Sequence, residues 1–393
     1  MRVLHVIPSV ALKQGGPSFV LRQIVTGLAS AGVDVHVATT TDACAGEIAS
    51  RTPAIESGVN YWYLPRQTGF YTFSWPLSSW LASNIGSYDL VHIHALFSFP
   101  SVAAAYWASR YRVPYIVRPL GTLNRWGFEN RRPWLKYASF RCIEARILRG
   151  AAAVHYTTEE EQIEAERLPI RHRPVVIPNP YELPTFSRTG ASLLSRFPVL
   201  GGKTAILFLS RIHRKKGLDL LLPAFRELHK RHPEAVLIIA GDGESALVAE
   251  LRVQARELRI GNHVSWVGFL SGEEKLDALR TSAVFVLPSY SENFGVAVIE
   301  AMAAGLPVVV SDQVAIHNEV QHAGAGLVCS CSPKSVATAL CRILDDPIDA
   351  RRMAAKGAAF ASEHYSIPAV TARLIDLYNS ILGCQPELEA VLS

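Results

Sequence analysis

Ser289-Tyr290-Ser291-Glu292-Asn293-Phe294-Gly295-Val296-Ala297-Val298-Ile299-Glu300 is the stretch on which the fold turns. The apolar run Val284 to Leu287 precedes it, and Ala301 to Pro307 completes a strand–loop–helix unit. Gly295 stands where the loop becomes a helix, so the amides of Phe294, Gly295 and Val296 point out of a helix N-terminus. The first amides of a helix have no intrahelical partner, and they form an anion site that suits a phosphate. Glu292 lies ahead of those amides, and Glu300 about a turn and a half into the helix. The pair can grip hydroxyls at both ends of a phosphate-containing ligand. Glu300 is embedded in an apolar helix, which argues against a merely solvated acid.

Outward from this unit the same alternation runs through the chain. Short apolar runs such as Val3 to Ile7, Val33 to Thr39, Asp89 to His94, Pro114 to Val117 and Ala152 to His155 alternate with amphipathic stretches. Strand, helix, strand at this interval is the signature of parallel α/β units. Ile177-Pro178-Asn179-Pro180, Pro184 and a Ser/Thr/Gly-rich stretch to Gly202 interrupt it and read as a linker. The pattern restarts at Ala205 to Leu209. Domains are expected at 1–183 and 184–365, with a final helix from 366 carrying Val370, Leu374, Leu377, Tyr378 and Ile381 as a stripe.

A second candidate site follows the strand Ala205 to Leu209. Ser210-Arg211-Ile212-His213-Arg214-Lys215-Lys216-Gly217 places four cations within six residues at a strand's carboxyl end. Such a cluster suits a diphosphate, with Arg forking onto two oxygens and Lys acting as a point charge. Gly268-Phe269-Leu270 follows another strand and can flank a base. Gly15-Gly16-Pro17 after the first strand lets backbone approach a ligand closely. It is not the G-x-G-x-x-G fingerprint, and no acid at the expected spacing marks a dinucleotide ribose site, so a dehydrogenase is disfavoured. No Asp-x-Asp occurs, so no metal is expected, and Arg211 and Lys216 supply the neutralising charge.

The chain has 393 residues, 39 Lys+Arg, 34 Asp+Glu and a net charge of +5. That length suits two cores, and 49% hydrophobic residues exclude a disordered or collagen-like chain. Arg125 to Arg149 holds seven basic residues and two acids, which equals the whole excess. Trp126, Phe128, Trp134, Tyr137 and Phe140 are interleaved with them. Basic residues among large aromatics suit an anionic membrane or a phosphorylated lipid carrier, and Arg125, Trp126, Arg131, Arg132, Trp134 and Lys136, with Arg118 ahead of the segment, are candidate acceptor or membrane contacts. A long helix with a cationic outer face and an aromatic inner one is the plainer alternative. Phe70 to Pro76 is a second aromatic loop. No nucleic-acid module is visible. Six cysteines without a C-x-x-C pair read as free thiols in a reducing compartment. No uncharged apolar run is long enough to span a bilayer. The first strand is too short for a signal peptide, so a cytoplasmic protein, at the inner face of a membrane, is expected.

Taken together, the Glu292-to-Glu300 spacing, Arg211 with Lys216-Gly217, Gly241-Asp242-Gly243, Ile177-Pro178-Asn179 and the Gly-Gly-Pro loop resemble family 4 retaining glycosyltransferases. The resemblance covers almost the whole chain and is stronger in the second half. It implies the GT-B fold, an α/β architecture of two Rossmann-like doubly wound domains facing a central cleft. It implies a hexosyltransferase-type enzyme that moves a sugar from a nucleotide-sugar donor to a saccharide or lipid-linked saccharide, with anomeric configuration retained. It implies that Arg211 and Lys216 bind the donor diphosphate, that Glu300 holds the ribose and that Glu292 contacts the transferred sugar. Phe294, Gly295 and Val296 would add amides, Gly16 would touch the donor from the first domain, and the last helix would cross back onto that domain. Many relatives carry Pro-His-Gly where this chain has Pro119-Leu120-Gly121. Leu120 can neither donate nor accept a hydrogen bond. His94 and Arg118 are candidates to take the missing histidine's place. Two alternatives stay open: a nucleotide-sugar-binding protein without transferase activity, and an epimerase acting on the nucleotide-sugar itself.

Overall fold

The computed structural model describes residues 1–11, 16–41, 52–123, 133–182, 196–197 and 201–383. The chain divides into two units, Met1–Pro180 with Ile367–Ser393, and Tyr181–Ser366. The first crossing falls at Pro180 rather than at residue 183. Tyr181 already belongs to the second unit, because its amide donates to Tyr365 O at 2.6 Å and it bridges Ser366.

The first unit begins β1(Arg2–Ile7), α1(Gly16–Ser30), β2(Asp34–Thr41), β3(Ala54–Glu56) and β4(Val59–Pro65). It continues α2(Trp75–Asn84), β5(Leu90–His94), α3(Phe99–Tyr111), β6(Tyr115–Arg118), α4(Pro133–Ser139) and α5(Ala145–Gly150). β7(Ala153–Tyr156), α6(Glu159–Glu166) and β8(Pro174–Val176) follow. The sheet order is β3-β4-β2-β1-β5-β6-β7-β8, parallel except for β3 against β4. Its central strands are buried on both faces, which is why they read as continuous apolar runs. One face packs on Leu77, Leu81, Ala104, Ala108 and Leu148. The other packs on Leu21, Ile24 and Leu28 of α1, and on Val370, Leu374, Leu377 and Tyr378.

The second unit contains β9(Thr204–Leu209), α7(Leu218–Arg231), β10(Ala235–Ala240), α8(Ser245–Glu257), β11(Val264–Gly268), α9(Gly272–Thr281) and β12(Ser282–Leu287). Then come α10(Val296–Ala303), β13(Val308–Ser311), α11(His317–Ala323), β14(Gly326–Cys329), α12(Pro333–Asp345) and α13(Pro347–Tyr365). The six parallel strands run β11-β10-β9-β12-β13-β14. The chain's last described helix, α14(Ile367–Leu382), belongs to the first unit. It approaches α1 closely, since a Cβ on Gly27 would lie 2.4 Å from Thr371 Oγ1.

The order of strands fixes where ligands can bind. In the second unit the chain fills β9, β10 and β11 outward, then returns to β12 on the other side of β9. The first unit makes the same reversal between β1 and β5. Loops leaving neighbouring strands diverge at such points and leave a crevice outside the carboxyl ends.

The basic, aromatic segment departs from the single long helix considered as its plainer reading. α4 ends at Ser139, a π-helical turn covers Phe140–Glu144, and α5 follows. The turn carries Glu144 fully inward, where Tyr71 Oη donates to it at 3.0 Å and Ser139 Oγ at 2.9 Å. The aromatic side chains are not all on an inner face. Phe140 is buried, whereas Trp134 and Tyr137 are exposed, as are Phe70 and Trp75. Arg125, Trp126, Phe128, Arg131 and Arg132 lie outside the described residues.

Candidate active site

The loops that leave β9 and β12 carry both candidate sites of the second unit, and the crevice rule brings them together. Gly217 makes this possible. It holds φ +72°, and a Cβ there would stand 1.9 Å from Pro288 O of the β12 loop. Tyr290 N donates to Lys215 O at 2.8 Å across the same gap. The basic run itself is a short 3-10 turn, Arg214–Lys216, capped by His213.

Three of the four cations take different places. Arg214 forks onto Glu250 on the surface, with its closest contact at 2.7 Å. Lys216 is buried and its Nζ donates to Glu292 Oε2. Burial, followed by the charges of Lys215 and Arg211, pushes the Lys216 ammonium down to about 7. Its contact with Glu292 opposes that push. Arg211 stays exposed at the end of β9.

Glu292 is anchored through its backbone. Its amide donates to Gln313 O at 3.1 Å, and its carbonyl accepts from Ala315 N at 2.9 Å. Gly295 caps α10 in the left-handed region at φ +81°. A side chain there would crowd Val298 and Val314 at 3.3 Å. Phe294 turns its ring inward, edge-on to Tyr365, so only its backbone faces outward. Glu300 lies on α10, 9% exposed, and accepts from Lys275 Nζ at 2.9 Å.

The loop after β11 separates into three roles. Gly268 has φ +75° and its carbonyl accepts from Gly241 N at 2.8 Å. Phe269 is 67% exposed, whereas Leu270 buries its side chain in the core. Leu270 therefore offers a ligand only its backbone, a correction to its place among the donor contacts. Trp266, Gly241, Asp242, Gly243 and Gly268 line an adjoining hollow of roughly 710 Å³.

In the first unit the placements differ from expectation. Gly16 opens α1 and is exposed, and a Cβ added there would meet nothing within 4 Å. His94 has no exposed surface, and its Nε2 lies 2.9 Å from His5 Nδ1. Packed in this way it does not reach a ligand, which corrects its reading as a sugar contact. Arg118 is 1% exposed and bonds Asn179 Oδ1, so it is not part of a membrane-facing surface. Trp134 is exposed, and Lys136 reaches over the Phe97 ring at 5.7 Å.

Sequence reasoning missed Lys275 and Glu161. Nothing in Gly272-Glu273-Glu274-Lys275 points to a carboxylate 25 positions away. Glu161 accepts from Gly121 N at 2.6 Å and from Thr157 N at 2.7 Å, and so pins the loop that carries Leu120. A Thr158 N-cap three residues ahead of Glu161 was the only local sign.

Comparison with known proteins gives these loops a context. Residues 196–360 match the family described as glycosyl transferases group 1, and residues 15–180 match the glycosyl transferase 4-like domain. The chain is 34% identical over 215 residues to a phosphatidyl-myo-inositol mannosyltransferase of Mycolicibacterium smegmatis, covering 53% of this chain and 52% of that one. It is 30% identical over 183 residues to an alpha-D-kanosaminyltransferase of Streptomyces kanamyceticus, covering 46% and 47%. The matches thus span about half the length of these relatives. Among solved structures, Anabaena Alr3699/HepE in complex with UDP superposes with a TM-score of 0.79 at 18% identity, over 97% of this chain and all of that one. Sucrose-phosphate synthase from Thermosynechococcus elongatus gives 0.75 at 21%, over 98% and 100%. These likenesses identify the fold as that of the GT-B glycosyltransferases. With its second unit matching one family model and its first unit the other, the chain belongs to the group 1 glycosyltransferases.

Proposed function

We propose that the protein is a retaining glycosyltransferase. It would move a sugar from a nucleoside-diphosphate sugar to a saccharide or lipid-linked saccharide, in polysaccharide or glycoconjugate synthesis. The observation that carries this reading is the meeting of Lys216 with Glu292 beside the start of α10, with Glu300 one turn further on. In the free protein Glu292 occupies Lys216, one of the two cations that a diphosphate would take. Arg211 and Lys216 would bind the diphosphate, the first amides of α10 would add to phosphate or sugar, and Glu300 would hold the ribose. Phe269 would lie against the base. Gly16 would approach the donor from the first unit. The UDP-bound relative and the sugar-transferring relatives support a nucleotide-sugar donor.

The cations neutralise charge that grows on the leaving diphosphate, so the reading needs no metal. The diphosphate oxygen would take the acceptor hydroxyl's proton as the hydroxyl attacks the anomeric carbon on the leaving-group side. Leu120 would leave the sugar less tightly held without removing this step. The first unit would present the acceptor. Its exposed Trp134, Tyr137, Phe70 and Trp75 favour a lipid-linked acceptor at the cytoplasmic face of an anionic membrane. No helix among the described residues is long and apolar enough to cross a membrane.

Incubation with a panel of nucleotide-sugars and acceptors tests the reading. Released nucleoside diphosphate, with an anomeric proton signal of unchanged configuration in the product, is expected. Conversion of the donor without acceptor would indicate an epimerase instead. Donor binding with no turnover on any acceptor would indicate a binding protein.

A further inference from the structure

The proposed donor site uses Glu300 and leaves the partner of Glu300 without a role. Glu300 Oε1 accepts from Lys275 Nζ at 2.9 Å, and Oε2 has no hydrogen-bond partner among the described residues. Lys275 is the fourth residue of α9. It precedes Ala278 and Leu279, both fully buried, by three and four residues. Residues at that spacing share a helix face. Lys275 therefore rises from the inward side of α9, whereas Glu273 lies on the solvent side.

Helix stability does not explain a lysine at this position. The amino-terminal end of a helix favours acids and disfavours cations. Glu273 and Glu274 obey that rule, and Glu274 accepts from Arg196 Nη1 at 3.1 Å. Lys275 stands beside them and opposes it. An ordinary surface ion pair explains it no better, because such pairs contribute little. The Glu300 side chain is only 12% exposed and that of Lys275 28%. A carboxylate buried that far is rarely left without a cation. Lys275 compensates the Glu300 charge and fixes one of its two oxygens.

Position agrees. α9 and α10 each follow a parallel strand, so both start at the carboxyl edge of the sheet, where ligands bind. Lys275 comes six residues after Phe269, so the segment that follows the proposed base loop also carries the cation on the proposed ribose contact. The two ion pairs of this unit differ in what a donor brings to them. A diphosphate brings negative charge and can replace Glu292 on Lys216. Ribose brings hydroxyls, which donate to a carboxylate and cannot replace it on a lysine. A carboxylate has room for about four hydrogen bonds, so Glu300 can keep Lys275 on Oε1 while Oε2 takes ribose.

We propose that Lys275 is the positioning residue of the ribose contact. It holds the Glu300 carboxylate in the orientation that accepts ribose hydroxyls, and so sets a preference for ribose over 2′-deoxyribose in the donor. The inference rests on the proposed function and deepens its Glu300 contact. Lys275 acts through Glu300 and not by touching the donor.

The test is calorimetric titration of the full chain with UDP, GDP and ADP and with the 2′-deoxy form of each. The wild type is expected to bind at least one ribonucleotide about tenfold or more tighter than its deoxy form, as a hydroxyl bonded to a charged group provides. Lys275→Met should cut that ratio to about threefold or less, by weakening the ribonucleotide and leaving the deoxynucleotide nearly unchanged. Lys275→Arg should restore most of it, and Lys275→Gln takes the place of Lys275→Met if that variant does not fold. Combined with Glu300→Ala, Lys275→Met should add almost nothing to the loss from Glu300→Ala alone, because the two act as one unit. A merely structural pair would lower the melting temperature and leave the ratio intact. A lysine that met the diphosphate directly would weaken both nucleotides and add to Glu300→Ala. Either result overturns the positioning role and leaves the donor site standing. A wild type that binds none of the nucleotides, or binds ribose and deoxyribose forms equally, overturns the inference together with the Glu300 contact of the proposed function.

Discussion

The two units build the same crevice and fill it differently. In the second, two cations meet acids: Lys216, in the loop that leaves β9, with Glu292, and Lys275 on α9 with Glu300. These side chains keep 9% to 28% of their surface exposed. In the first, Arg118 at the end of β6 has almost no exposed surface and no contacting acid among the described residues. A paired, partly open site can exchange its internal partner for a ligand at low cost. An unpaired, closed one must open before it can bind. The difference separates a paired, partly open cluster in the second unit from a closed, buried one in the first.

The strongest way to break the comparison is to remove the second unit's paired cation. Lys216→Ala should lower kcat/KM for the nucleotide-sugar by about 10²–10³-fold, as loss of a preorganised charge-stabilising group does. Steady-state release of nucleoside diphosphate measures it. Gly217→Ala should be almost as severe by a different route. The new methyl meets Pro288 O, and the left-handed backbone adds strain of about 1–3 kcal/mol. Denaturant unfolding should show that loss, and a variant as stable as the wild type would contradict the close approach of the two loops.

The pH dependence of donor binding sharpens the contrast further. Lys216 is held down to about 7 in the free protein, and a bound diphosphate raises it. Binding therefore takes up a proton above pH 7. Affinity should be level below about pH 6 and fall by up to about tenfold per unit as the pH rises above 7. Calorimetry in buffers of different ionisation enthalpy would report the proton directly, and a flat profile from pH 6 to 9 would count against it. The smallest effect belongs to the first unit. Tyr378→Phe removes the hydroxyl facing His92 and should cost about 1 kcal/mol in stability, with donor affinity unchanged.

Much of the second unit was legible in the sequence because its chemistry is local. Gly295 at a loop-to-helix junction, Glu300 in an apolar helix and a dense basic run after a strand each carry their meaning within ten residues. The first unit resisted because its chemistry is assembled by strand register. His5 and His92 are 87 positions apart and become neighbours only when β1 pairs with β5. His94 and Arg118 therefore read as candidates for the missing histidine's place rather than as members of a buried cluster. Lys275 escaped for the same reason, since its partner Glu300 is supplied by another helix. The π-helical turn at Phe140–Glu144 was hidden too. It follows from Glu144 being drawn inward to Tyr71, a contact between residues 73 positions apart.

Calorimetric titration of the wild type and Glu300→Ala with a panel of nucleoside-diphosphate sugars tests the central claim most directly. The wild type should bind at least one of them, and Glu300→Ala should lose about tenfold or more in affinity for that donor as ribose contacts are removed. Equal affinity in the two proteins would contradict the account of the donor site.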